Sequence, residues 1–121
     1  MDLQLVHSYL FGDVKYIDYL AVSMLIDIFT GIGAAWKEKR LRSRTALFGY
    51  VRKIGVFGII IAANIIDIIL NLNGAVAMAS VLFYICNEIL SIVENCAIMG
   101  LKVPSVIVDK LQVIKEKDDE K

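Results

Sequence analysis

The sequence predicts an all-α integral membrane protein with about three transmembrane helices and a short cytoplasmic C-terminal helix, and three observations predict it. The first is composition. Of the 121 residues 58% are hydrophobic; with glycine counted in place of tyrosine the apolar share is about 60%, against roughly 45–50% in ordinary soluble domains. The second is segregation of charge. The 13 basic and 13 acidic residues cancel, yet residues 16–36 and 54–101 contain no Lys or Arg and only Asp18, Asp27, Asp67, Glu88 and Glu94. A soluble domain of this size would need polar residues spread along the chain to cover its surface. The third is length, since each apolar run matches the roughly 20 residues that cross a bilayer core. There is no internal repeat or linker, so residues 1–121 read as one membrane domain.

At the amino end, Leu3, Val6 and Leu10 share a helical face before the break at Gly12-Asp13, which reads as a short interfacial segment. Lys15 is the first positive residue, so no cleavable signal peptide is expected. The first span covers 17–36, with Tyr16, Tyr19 and Trp36 placed as an interfacial belt. Residues 37–53 then read as a basic loop. Lys37, Lys39, Arg40, Arg42, Arg44, Arg52 and Lys53 oppose only Glu38, a net of +6, and juxtamembrane basic loops stay in the cytoplasm. Lipid phosphates and topology account for these charges, so no nucleic acid is expected as a partner.

The second span covers 54–72, rich enough in Ile and Leu to carry Asp67. After the polar turn Asn71-Leu72-Asn73-Gly74 the third covers 75–97, its second half burdened by Asn87, Glu88, Glu94 and Asn95. Three crossings place the amino terminus outside and the carboxyl terminus inside. In the C-terminal tail, 102–121, Pro104 should stop the preceding helix and Ser105 start another, with Ile107, Leu111 and Ile114 on one face. Lys115 to Lys121 should form a solvated mixed-charge end.

Enzyme signatures are poor, and neither a catalytic site nor a cofactor is expected. His7 is the only histidine, which leaves no multi-His metal site or relay. Gly31-Ile32-Gly33 lacks the third glycine and preceding strand of a dinucleotide fingerprint. Cys86 and Cys96 lie roughly 15 Å apart along one helix, too far for a disulfide.

The informative signal is polarity within the spans. At about 100° per residue, Ser80, Tyr84, Asn87, Glu88, Ser91, Glu94 and Asn95 fall within an arc of roughly 120°. Asn64, Asp67 and Asn71 share a face of the second helix; Ser23, Asp27, Thr30 and Ala34 share one of the first. These faces either pack against each other inside a monomeric bundle or meet water and other copies. With no Lys or Arg expected inside the spans, the acids form an uncompensated load that oligomerisation or water must relieve. Gly31 with Ala35, Gly58 with Ala62 and Ala75 with Ala79 permit close helix approach.

Leu25-Ile26-Asp27-Ile28-Phe29-Thr30-Gly31, the basic segment ending in Arg52-Lys53, Asp67, and the run from Phe83 to Asn95 (Phe-Tyr-x-x-Asn-Glu-x-x-Ser-x-x-Glu-Asn) together resemble the phage-lysis and toxin-secretion holin family. Gly100-Leu101-Lys102-Val103-Pro104 also fits. The resemblance covers about Tyr16 to Leu111, and its specific part is the Phe83–Asn95 run. It implies a non-enzymatic phage or prophage protein that accumulates in the bacterial inner membrane, self-associates, and opens lesions at a set time. Through these an endolysin, or in some clostridia a large toxin, reaches the wall. On this reading Asp27, Thr30, Asn64, Asp67, Asn87, Glu88, Ser91, Glu94 and Asn95 make lumen-facing or interhelical contacts. Two rivals are an antiholin that regulates a holin and a small proton-coupled transporter; the latter should show paired inverted halves, which are absent.

Overall fold

The computed structural model describes residues 2–12, 14–39 and 43–119, with side chains described at all of these except 43–47 and 117–119. The described residues form five helices: α1 (Leu3–Phe11), α2 (Ile17–Lys37), α3 (Ser43–Leu70), α4 (Ala75–Ile98) and α5 (Ser105–Asp119). Three stretches, Ile17–Lys37, Phe48–Leu70 and Ala75–Ile98, are long and apolar enough to cross a membrane. The chain is all-α and an integral membrane protein.

α2 and α4 run parallel, with α3 antiparallel beside α4. Their contact is made by Ile17, Leu20 and Met24 of α2, Ile60 of α3, and Val81 and Ile85 of α4, each set on one helical face. Leu20, Ile60 and Val81 are fully buried. Most other large apolar side chains, such as Phe29, Ile59 and Ile69, face outward, as a lipid-facing surface requires.

α1 begins where the Asp2 carboxylate accepts a bond from the Gln4 N–H at 3.0 Å, satisfying one orphan donor of the first turn. It ends at Gly12, whose φ is 64°; Asp13, the other half of the expected break, lies outside the described residues. The α1 stripe turns Val6 and Leu10 inward but leaves Leu3 exposed. α4 ends not at Pro104 but six residues earlier. Leu101 N–H donates to Cys96 O at 2.9 Å and Gly100 N–H to Ala97 O at 3.0 Å, a Schellman pair made possible by Gly100 at φ 84°. Pro104 instead starts α5, its carbonyl accepting from Ile107 N–H at 3.0 Å.

One expectation needs correction. The basic segment 37–53 is not a loop throughout, because α3 begins at Ser43; Gly49 and Lys53 continue the inward stripe that the apolar run carries on. Arg40 and Arg42 lie outside the described residues, as does the side chain of Arg44. The mixed-charge end is exposed at Lys115 and Glu116, as expected, and the short C-terminal helix runs through it to Asp119; Glu120 and Lys121 lie outside the described residues. α5 folds back along α4, burying Leu111 and bringing Ile114 to a cavity of about 410 Å³ lined by Tyr16, Tyr19, Leu82 and Ile85 among others.

Candidate functional site

Asp27 sits ten residues from each end of α2, about 15 Å along the axis from either. There it meets a cation. Lys53 Nζ lies 2.7 Å from Asp27 Oδ2 and 2.7 Å from Glu88 Oε2, with Glu88 Oε1 at 2.9 Å. One ammonium thus ties three helices together, and its side chain is 19% exposed against 11% for Asp27 and 12% for Glu88. Burying carboxylates costs several kcal/mol each unless they are paired and hydrogen-bonded. A lysine has three donors to offer. The spans therefore do contain a basic residue beside their acids, one ammonium shared by two carboxylates. In the sequence Lys53 reads as part of the loop, because the uninterrupted apolar run starts only at Ile54.

The next turn extends the cluster. Asn95 Nδ2 donates to Asp27 Oδ1 at 2.9 Å and to Thr30 Oγ1 at 3.1 Å, and the Thr30 hydroxyl donates to Ile26 O at 2.8 Å. Gly31 lies against Asn95, where an added Cβ would come 3.5 Å from Nδ2. The approach there is close but not exclusive to glycine. Gly58 has open space around it, so its spacing with Ala62 marks no close helix contact within the chain.

Nearer the amino end of α2, two more polar residues are satisfied within the chain. Val76 N–H donates to Asp67 Oδ1 and Ala77 N–H to Oδ2, both at 2.9 Å. The N-cap of α4 is Gly74, which has no capping side chain, so a carboxylate from α3 does that work and meets the positive end of the helix dipole. Asn64 Nδ2 donates to Leu10 O at 3.0 Å and more weakly to Tyr9 O at 3.4 Å, fastening the last turn of α1 to α3.

The stripe on α4 is thus divided. Glu88 and Asn95 face the other helices, and Ser91 lines a cavity of about 470 Å³ beside the ion cluster, between α3 and α4. Asn87 and Glu94 are exposed and make no side-chain hydrogen bond or ion pair among the described residues. Arg52 lines the same cavity from α3 and is exposed; Lys37 and Lys39 are exposed near the α2 terminus. One signal could have located Lys53. Gly49, Lys53, Val56, Ile60, Ala63, Asn64 and Asp67 lie on one helical face, and all are buried or half-buried.

Among the described residues no group of three His, Cys, Asp or Glu could hold a metal ion, and the thiols of Cys86 and Cys96 form no disulfide. The arrangement pairs charge across helices.

Compared with known proteins, residues 5–116 match the model of the bacteriophage holin family. A protein named "Probable holin" from Bacillus phage phi105 is 56% identical, the match covering 98% of this chain and 88% of that protein. The uncharacterized protein YqxH of Bacillus subtilis is also 56% identical, over 98% and 84%. An uncharacterized 14.9 kDa protein from the nagH 3′ region of Clostridium perfringens is 32% identical, over 91% and 85%. No solved structure matches.

Proposed function

The chain belongs to the bacteriophage holin family, a phage-type holin acting in lysis, and from that premise we propose how it does so. It accumulates in the bacterial inner membrane as a charge-satisfied bundle, then self-assembles into lesions that release an endolysin or a toxin. The family is not one of enzymes, and we assign the chain no catalytic role. The observation that carries the reading is the division of polarity. The Lys53–Asp27–Glu88 cluster and the Asp67 cap let one chain insert with its buried charge paired. Arg52, Asn87 and Glu94 stay on its surface for a later step.

In this reading Asp27, Thr30, Asn64, Asp67, Glu88 and Asn95 are interhelical contacts, Ser91 flanks the ion cluster, and Asn87 and Glu94 are free to meet water or another copy. The basic segment holds the α2–α3 connection in the cytoplasm, which sets the amino terminus out and the end of α4 in. α5 follows on the cytoplasmic side. Docked along α4 at bilayer depth, its exposed Asp109, Lys110, Lys115 and Glu116 would each cost up to about 2.5–3.5 kcal/mol. Burial of Leu111 and Ile114 returns only about 1.5–3 kcal/mol apiece. The charges win, and in the bilayer α5 swings about Gly100 to the cytoplasmic interface.

Expression in a bacterial host should collapse membrane potential and admit an impermeant dye. Full membrane levels with potential and permeability unchanged would turn the reading toward an antiholin. Topology is read by impermeant thiol labelling of whole cells with Cys96 changed to Ser. Asn73→Cys should label from outside, while Lys39→Cys and Lys110→Cys should not; labelling at Lys39→Cys would overturn the three-crossing arrangement, and labelling at Lys110→Cys the placement of α5.

A further inference from the structure

Of the charged groups within the spanning stretches, Asp27, Lys53 and Glu88 pair with one another, Asp67 takes two backbone amides, and Asp18 and Lys37 sit in the end turns of α2, which leaves Arg52 and Glu94. Arg52 and Glu94 both lie within stretches able to cross the membrane, both are exposed, and neither has an ion pair among the described residues. Their signs are opposite. Glu94 belongs to an outward stripe of α4, Phe83, Asn87, Leu90 and Glu94, spaced i, i+4, i+7, i+11, all exposed. Arg52 stands across the α3–α4 cavity from Asn87 on that stripe.

Lys53 and Glu88 mark a common level. Arg52 is one residue from Lys53 and Glu94 six from Glu88, both toward the end bearing the basic segment, so their levels differ by roughly 7–8 Å. That separation is within the combined reach of the two side chains. Copies of one chain insert with one orientation, because the same basic segment directs each, and these levels therefore carry over unchanged from chain to chain. Lipid tails can pair neither charge, whereas a second copy presents the opposite sign at the right depth.

We propose that Arg52 of one copy pairs with Glu94 of another, so that the α3–α4 face is the surface through which copies assemble. The proposal rests on the reading of the chain as a self-assembling holin and names its contact.

The test is a charge swap in trans. Arg52→Glu and Glu94→Arg each place like charges at every contact, and each chain alone should reach the membrane at parental levels, crosslink as monomer, and permeabilise roughly tenfold or more slowly. Co-expression of the two should restore both the crosslinked ladder and the rate, since each contact between unlike copies regains opposite signs. Single swaps that behave like the parent would overturn the proposal. So would rescue seen only when both swaps share one chain, which identifies an intrachain pair, or no rescue in either arrangement. Should swapped chains fail to accumulate, Arg52→Gln and Glu94→Gln remove attraction without adding repulsion, and each should shorten the ladder; an unshortened ladder refutes the pairing. A parent that forms the ladder but leaves the membrane intact would refute the lysis reading and leave the pairing standing.

Discussion

Lys53→Met is the most discriminating single change, because it removes the cation and keeps nearly the same unbranched length. Two carboxylates, 11% and 12% exposed, then face each other across the α2–α4 contact. Breaking a buried pair by deleting one partner costs about 3–5 kcal/mol. The 19% exposure of Lys53 leaves some water in reach, so the lower end, about 3 kcal/mol, is the expected loss, roughly a hundredfold in the folding equilibrium. Titrating SDS into nonionic micelles, with the tertiary near-UV signal as readout, measures it. Adding Asp27→Asn and Glu88→Gln to Lys53→Met removes the orphaned charges while keeping hydrogen-bonding groups, and should recover most of the loss. A shift below about 1 kcal/mol for Lys53→Met would mean that the cation does not hold the cluster. A triple variant no better than the single one would assign the cost to packing and not to charge.

Two further outcomes follow from the other satisfied polar groups. Asp67→Ala strips two first-turn amides of α4 of their acceptor and should lower stability by about 1–2 kcal/mol in the same titration, with amide exchange at Val76 and Ala77 rising first; unchanged exchange there would show that the cap is dispensable. Gly12→Ala would set a Cβ 2.6 Å from Asn64 Oδ1 at φ 64° and ψ −145°, a backbone geometry nearly confined to glycine that costs a residue with Cβ about 1–3 kcal/mol, so α1 should detach and the peptide bonds around Leu10 become protease-sensitive while α2–α4 stay folded; equal protease resistance in variant and parent would remove the role given to the Asn64 contact.

The helices were legible in the sequence because a bilayer leaves little choice. Apolar runs of spanning length must be helical to satisfy their own backbone, and the Asn71–Gly74 turn interrupts the second and third clearly. Asp27, Glu88 and Asn95 were legible as lumen-facing or interhelical candidates, because polar residues within an apolar run need a partner. Lys53 was not, since basic residues beside an apolar run signal topology, and that meaning masked its place on the Gly49–Asp67 face. The role of Asp67 was hidden differently. Its partners are backbone amides beyond a turn, and whether a carboxylate reaches them depends on the angle at which the chain reverses. Nor could periodicity divide Asn87 and Glu94 from Glu88 and Asn95. An arc of roughly 120° is about the width of a contact stripe, and which edge faces a neighbour is decided by where that neighbour lies.

The spacing of these contacts along the chain also sets an order for its biosynthesis. Asp67 finds its amides only nine and ten residues later, so α3 and α4 can enter the bilayer as a hairpin whose buried acid is paired almost as soon as it is made. Asp27 must wait 26 residues for Lys53, which in turn waits 35 for Glu88, and Asn95 closes the last bond 68 residues after Asp27. Until Lys53 is made, α2 carries a lone carboxylate ten residues from each of its ends, a state that disfavours its release into lipid alone. The first spanning helix to be synthesised is therefore the last to have its polar contacts completed.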